Sequence, residues 1–174
     1  MKKRGKAIYI TLPGILAALS LLFLYLSSLL PTGRWALAAV AGLFPAAAVI
    51  TTGLWGGTAC YAAAGLLGLL LVPDRLIALL YLLFFGAYPV VKSLLERIRP
   101  LWLGVLGKFA FFNGILTIFW LGFSSLFLPA LPELFKARIW LLYLAGNLVF
   151  GVYDLGLTKL ISYYGERLSK AIKR

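Results

Sequence analysis

Six runs of apolar residues, each closed by a turn signal or a cluster of charge, set the pattern along this chain. A helix needs about 20 apolar residues, at a rise of 1.5 Å each, to cross the hydrocarbon of a bilayer. The first run, 7–30, meets that length and ends at Pro31-Thr32-Gly33-Arg34. The second, 35–52, stops at the Gly53/Gly56/Gly57 cluster. The third, 58–72, is short, rich in small residues and closed by Pro73-Asp74-Arg75. The fourth, 76–91, runs into Lys92, Glu96, Arg97 and Arg99. The fifth, 101–128, carries Lys108 and Asn113 and is ended by Pro129 and Pro132. The sixth, 137–160, leads into the basic tail Arg167, Lys170, Lys173 and Arg174. The pattern predicts an all-α integral membrane protein, a single transmembrane domain over 1–174 with about six transmembrane helices. The connection Thr51-Thr52-Gly53-Leu54-Trp55-Gly56-Gly57 holds no charge, so a re-entrant pair is the alternative for the second and third helices.

Charge gives these helices a direction. Basic residues gather on the cytoplasmic side of membrane proteins. With six spans and a cytoplasmic N-terminus, the inner side holds Lys2, Lys3, Arg4, Lys6, Lys92, Arg97, Arg99, Lys159, Arg167, Lys170, Lys173 and Arg174. The outer side holds Arg34, Arg75, Lys136 and Arg138, a ratio of twelve to four, with Lys108 inside a span. Removing one helix would place the basic start and the basic tail on opposite sides. The expectation is therefore a multi-pass protein of the plasma membrane with both termini cytoplasmic. Trp35, Trp102, Trp120 and Trp140 fall near span ends, where amphipathic rings meet the headgroups.

Composition agrees and narrows the chemistry. Of 174 residues, 63% are hydrophobic and 13% charged, too apolar for a domain that must show water a polar surface. The formal charge of +12 would suggest nucleic acid in a soluble protein. Here the basic residues sit at the ends of apolar runs, so membrane lipid is the expected partner and nucleic acid is not. There is no His, and Cys60 is the only thiol, which excludes an internal disulfide, a His- or Cys-ligated metal site and a His-dependent triad. No Walker A sequence, chain of buried carboxylates or evident inverted repeat is present. No cofactor, metal site or enzymatic activity is expected. The basic start followed by 7–30 is too long for a signal peptide and lacks an A-x-A-like site, so it reads as an uncleaved first helix.

Small residues at helical spacing mark the first three helices: Gly14 with Ala18, Ala38 with Gly42, Ala59 with Ala63, Ala64 with Gly68. Such pairs let backbones approach in lipid, whether between this protein's own helices or toward another membrane subunit. Polar groups concentrate in the later helices. Tyr143, Asn147, Asp154 and Thr158 fall roughly on one face of the sixth helix, and Asn113 and Thr117 share a face of the fifth. Asn113 and Asn147 can act as interhelical glue or line an outward-facing solute pocket, walled by Tyr81, Tyr143, Trp120 and Trp140 with Arg34 over its mouth. Lys108 can snorkel inward or neutralise Asp154 across two helices. Lys92 and Glu96 form an i,i+4 pair at the membrane surface.

An Ala/Gly-rich N-terminal half followed by a polar C-terminal half resembles the substrate-binding S component of energy-coupling factor (ECF) transporters. The segment Leu37-Ala38-Ala39-Val40-Ala41-Gly42-Leu43-Phe44-Pro45-Ala46, continuing through Gly53, Gly56, Gly57 and Gly65 to Gly68, is similar to the second and third helices of that family. Phe85-Gly86-Ala87-Tyr88-Pro89-Val90-Val91-Lys92 and Gly146-Asn147-Leu148-Val149-Phe150-Gly151-Val152-Tyr153-Asp154 resemble motifs of an S-component-like group. The resemblance implies an ECF S-component-like bundle that binds a vitamin-like small solute. It also implies docking, through Gly14 and Ala18, on a transmembrane coupling subunit driven by two ATPase subunits. The substrate-binding residues then expected are Arg34, Tyr81, Asn113, Thr117, Trp120, Tyr143 and Asn147. A MreD-like scaffold of cell-wall elongation is the alternative, as is a lipid or polyprenyl-phosphate handler using Lys108, Lys92 and Arg99.

Overall fold

The computed structural model describes residues 2–30, 32–127, 129, 131–133 and 138–172, with side chains described over 7–126 except 31, at 129 and 131–133, and over 138–164. The predicted span limits at 128 and 137, together with Lys136, Lys173 and Arg174, lie outside the described residues. So do the side chains of Lys2, Lys3, Arg4, Lys6, Arg167 and Lys170. The helices are α1 (Lys2–Leu29), α2 (Arg34–Ala41), α3 (Leu43–Leu71), α4 (Arg75–Leu80), a π turn (Tyr81–Phe85), α5 (Ala87–Leu95), α6 (Leu101–Gly122), α7 (Ser124–Phe127) and α8 (Ile139–Ile172). No strand occurs among the described residues. Among the described residues, five stretches are long and apolar enough to cross a membrane: Ala7–Leu29, Arg34–Leu71, Arg75–Leu95, Leu101–Gly122 and Ile139–Tyr164. Their outward faces carry Ile10, Leu70, Leu121 and Val152, each more than 70% exposed. Apolar faces of that extent call for a lipid solvent, and the protein is embedded in a membrane.

The chain divides into two compact units, Met1–Gly104 and Val105–Arg174. In the first, α1 turns Pro13, Ala17, Ser20, Leu24 and Ser27 inward, a four-three-four-three spacing that keeps one stripe on the core. The 38-residue stretch Arg34–Leu71 is not one rod. Gly53 sits at φ 80°, ψ −175°, a conformation open essentially only to glycine. A Cβ at Gly57 would stand 3.2 Å from Cβ of Val49 and 3.3 Å from its Cα. Residues eight apart in a straight helix are separated by about 12 Å, so the chain folds back at Gly53. The limb after it, 54–71, then runs parallel to α1, with Gly56 beside Pro13 and Gly68 beside Leu24. The sequence predicts a loop through Gly56 and Gly57; both instead lie inside the helix, where their missing side chains admit Thr52 and Val49.

The rod made by α4, the π turn and α5 runs back beside 54–71. Tyr61 donates to the carbonyl of Leu82 at 2.9 Å, while its ring lies against Gly86, and Gly65 meets Leu82. A π turn holds one residue more than an α turn, so one carbonyl loses its usual helical donor, and a hydroxyl from a neighbouring helix supplies the bond. The first unit is thus an up-down-up-down set of rods.

The second unit is an antiparallel pair, α6 against α8, with α7 after α6. Phe112 stacks on Phe150 at 4.7 Å and 7°, Phe109 meets the edge of the same ring at 5.3 Å, and Gly146 leaves room for Phe112. The fifth helix ends at Gly122, not at the expected 128, and a short turn of helix, α7, follows.

Candidate functional site

Three polar pairs cross between α6 and α8, one above another. At the Ile139 end of α8, Thr117 Oγ1 lies 2.7 Å from the Tyr143 hydroxyl and 2.8 Å from the carbonyl of Asn113. A carbonyl can only accept, so Thr117 gives its single proton to Asn113 and takes the proton of Tyr143. In the middle, Asn113 Nδ2 donates to Asn147 Oδ1 at 2.9 Å and Asn147 Nδ2 donates to Asn113 Oδ1 at 3.0 Å. The second proton of each amide goes back one turn, to Phe109 for Asn113 and to Tyr143 for Asn147, both at 2.8 Å. Every amide proton of the pair is used within the unit. Deeper along α8, Lys108 Nζ lies 3.3 Å and 3.4 Å from the two carboxylate oxygens of Asp154, with side-chain exposures of 9% and 21%. The ladder covers the twelve positions from Tyr143 to Asp154, about 16 Å of helix and roughly half the thickness of a bilayer's hydrocarbon.

Of the two structural roles open to Lys108, the geometry selects the pair with Asp154. Asn113 and Asn147 bond each other across the two helices. Trp120 is half-buried one turn beyond Thr117. Trp140 is exposed on its helix, and Trp35, Trp55 and Trp102 are likewise turned outward near helix ends or, for Trp55, beside the Gly53 turn.

The remaining expected site residues belong to the first unit. Arg34 Nη1 donates to Asp74 Oδ2 at 3.1 Å, tying the turn before α2 to the turn before α4. Asp74 is doubly held, because its Oδ1 caps α4 by accepting from the amides of Leu76 and Ile77. Tyr81 is fully buried at the first position of the π turn, 2.7 Å from the Ser20 hydroxyl, which also bonds the carbonyl of Ala41. Lys92 is 1% exposed and pairs with half-exposed Glu96 at 2.8 Å. Gly14 and Ala18 face away from the buried stripe of α1, and a Cβ on Gly14 would meet nothing within 4 Å.

The pattern pointed neither to Ser20 nor to Tyr61, since a lone hydroxyl in an apolar run carries no signal of its partner. Asp74 was legible only as a span end, although Pro-Asp ahead of an apolar run is a helix start in which Asp caps. Among the described residues no group of three or more His, Cys, Asp or Glu gathers to hold a metal ion. No family model matches this chain, and no curated protein or solved structure matches it.

Proposed function

We propose that this protein is the membrane-embedded, solute-binding subunit of an uptake transporter of the energy-coupling factor type, crossing the membrane six times with both termini cytoplasmic. The observation that carries the reading is the outer face of α1. Gly14 and Ala18 form a shallow, exposed patch that the described helices of the first unit leave unfilled. Elsewhere in the first unit Gly42, Gly57 and Gly65 are filled by neighbours, while Ala59 and Ala63 are exposed as Gly14 and Ala18 are. A helix of a coupling subunit, bearing two ATPases, fits such a patch through close backbone approach. The reversal at Gly53 and the twelve-to-four distribution of basic residues support six crossings. The solute belongs with the aromatic and polar side chains of α6 and α8.

One observation favours a second reading, a scaffold without solute. The amide and hydroxyl protons of the α6–α8 ladder are spent within it, as befits a helix clamp. Native mass spectrometry of the gently solubilised protein separates the two. Bound small molecule, or co-purifying ATPase and coupling subunits, is expected for the transporter subunit. Retention of neither, with wall-synthesis proteins in their place and no thermal shift across vitamins and related metabolites, would overturn the first reading in favour of the scaffold.

A further inference from the structure

A proline inside a helix has no N–H for the carbonyl four residues before it, and its ring crowds that carbonyl, so the helix bends and the oxygen turns aside. Besides Pro13 inside α1, the first unit holds two such prolines in one repeated pattern: Ala41-Gly42-Leu43-Phe44-Pro45 and Phe85-Gly86-Ala87-Tyr88-Pro89. Both prolines are buried. In the first copy Pro45 releases the carbonyl of Ala41, and the Ser20 hydroxyl bonds it at 2.8 Å. In the second copy Pro89 releases the carbonyl of Phe85, and Gly42 of the first copy lies against it. A Cβ at Gly42 would come within 2.9 Å of that carbonyl carbon. The two copies therefore touch backbone to backbone.

Regular helical bonding is loosened at this level in the first rod and interrupted in the second. The amide of Gly42 is shared between the carbonyls of Ala38 and Ala39, and the other rod passes through its π turn. Beyond the break lie two half-helices, α2 and α4. Their far ends are joined by the Arg34–Asp74 pair, in which Asp74 is fixed by two amides of α4. What α2 buries is small, Ala38 and Ala41, whereas α4 buries Leu76, Ile77, Ala78 and Leu80. Two segments clasped at one end and interrupted side by side at the other move together more easily than either bends internally.

We infer that α2 and α4 form a cap that swings as one body about a joint made by Gly42 and the Tyr81–Phe85 turn, while 43–52 and α5 stay in place. The cap follows from the first unit alone.

Hydrogen exchange of the wild-type protein in lipid nanodiscs tests the cap. Amides of 35–41 and 76–80 are expected to exchange at matched rates, about tenfold faster than those of 46–52 and 90–95. Arg34→Ala should destroy the match. A profile continuous through Gly42 and Phe85, or one unchanged by Arg34→Ala, overturns the joint. Maleimide labelling gives a second reading, in a Cys60→Ala background. Ala38→Cys should react and Ala46→Cys should stay protected, whereas equal reactivity at both sites rejects the cap. Neither assay needs a solute, so a protein that retains no small molecule refutes the transporter reading and leaves the cap standing.

Discussion

Asn113 and Asn147 form the one rung whose two members each both donate to and accept from the other, which makes their coupling calculable. Replacing either by Leu removes both interhelical bonds, of 2.9 Å and 3.0 Å, and leaves the other amide without its partner on the facing helix. Interhelical hydrogen bonds in membranes average about 0.6 kcal/mol and reach about 1.7 kcal/mol. Two of them give a pair interaction of about 1–3 kcal/mol, and a stranded amide adds a desolvation cost of similar size. Each bond back to the helix's own carbonyl survives in the partner, which limits the loss. The expectation is a cost of about 1.5–3 kcal/mol for Asn113→Leu and for Asn147→Leu, with the double variant close to either single one. The assay is reversible unfolding of all four proteins in bicelles, combined as a double-mutant cycle. Single costs that add to within about 0.5 kcal/mol would show that the amides do not hold each other, and the ladder would lose its meaning as a clamp.

The same proton accounting separates Thr117 from Tyr143. Tyr143→Phe leaves Thr117 its carbonyl acceptor and should cost under about 1 kcal/mol, whereas Thr117→Ala strands the Tyr143 proton and should cost about 1–2 kcal/mol, read by the same unfolding assay. Breaking the intramembrane ion pair with Lys108→Met should cost about 3–5 kcal/mol by leaving Asp154 uncompensated, and adding Asp154→Leu should recover most of it. Fluorescence-detected size-exclusion chromatography after heating checks both, and a double variant no better than the single would refute the pairing. Gly53→Ala should lose about 1–3 kcal/mol because its backbone lies where a side chain is strained, and wild-type stability there would contradict the reversal of the chain at this residue. Cysteine labelling from either side of sealed vesicles tests the topology: positions beside the Gly53 turn should react from the side of both termini.

The membrane setting and most of the helices were legible because both depend on quantities that lie along the chain. Length of apolar run decides whether a helix can cross, and charge at the run's end decides which way it faces, without knowledge of any neighbour. The break between the second and third helices was legible as a glycine cluster. Which glycine turns the chain was not, because Gly53, Gly56 and Gly57 are the same residue put to different uses: one by its backbone angles, two by what packs against them. The likeness of 41–45 to 85–89 lay in the sequence as well, yet its meaning depended on Gly42 meeting the carbonyl of Phe85.

Partnership was decided only in three dimensions. The spacing of Asn113, Thr117, Tyr143, Asn147 and Asp154 placed polar groups on helix faces but left both glue and pocket open. A polar group in an apolar solvent bonds to whatever donor or acceptor comes within about 3 Å, and that is settled by the register between helices distant in sequence. The antiparallel register of α6 and α8 gave Asn113 to Asn147 and Lys108 to Asp154. The turns of the first unit gave Arg34 to Asp74 and Tyr81 to Ser20. Hydropathy is a property of a single residue, while a hydrogen bond belongs to two, and the second residue is chosen by the fold.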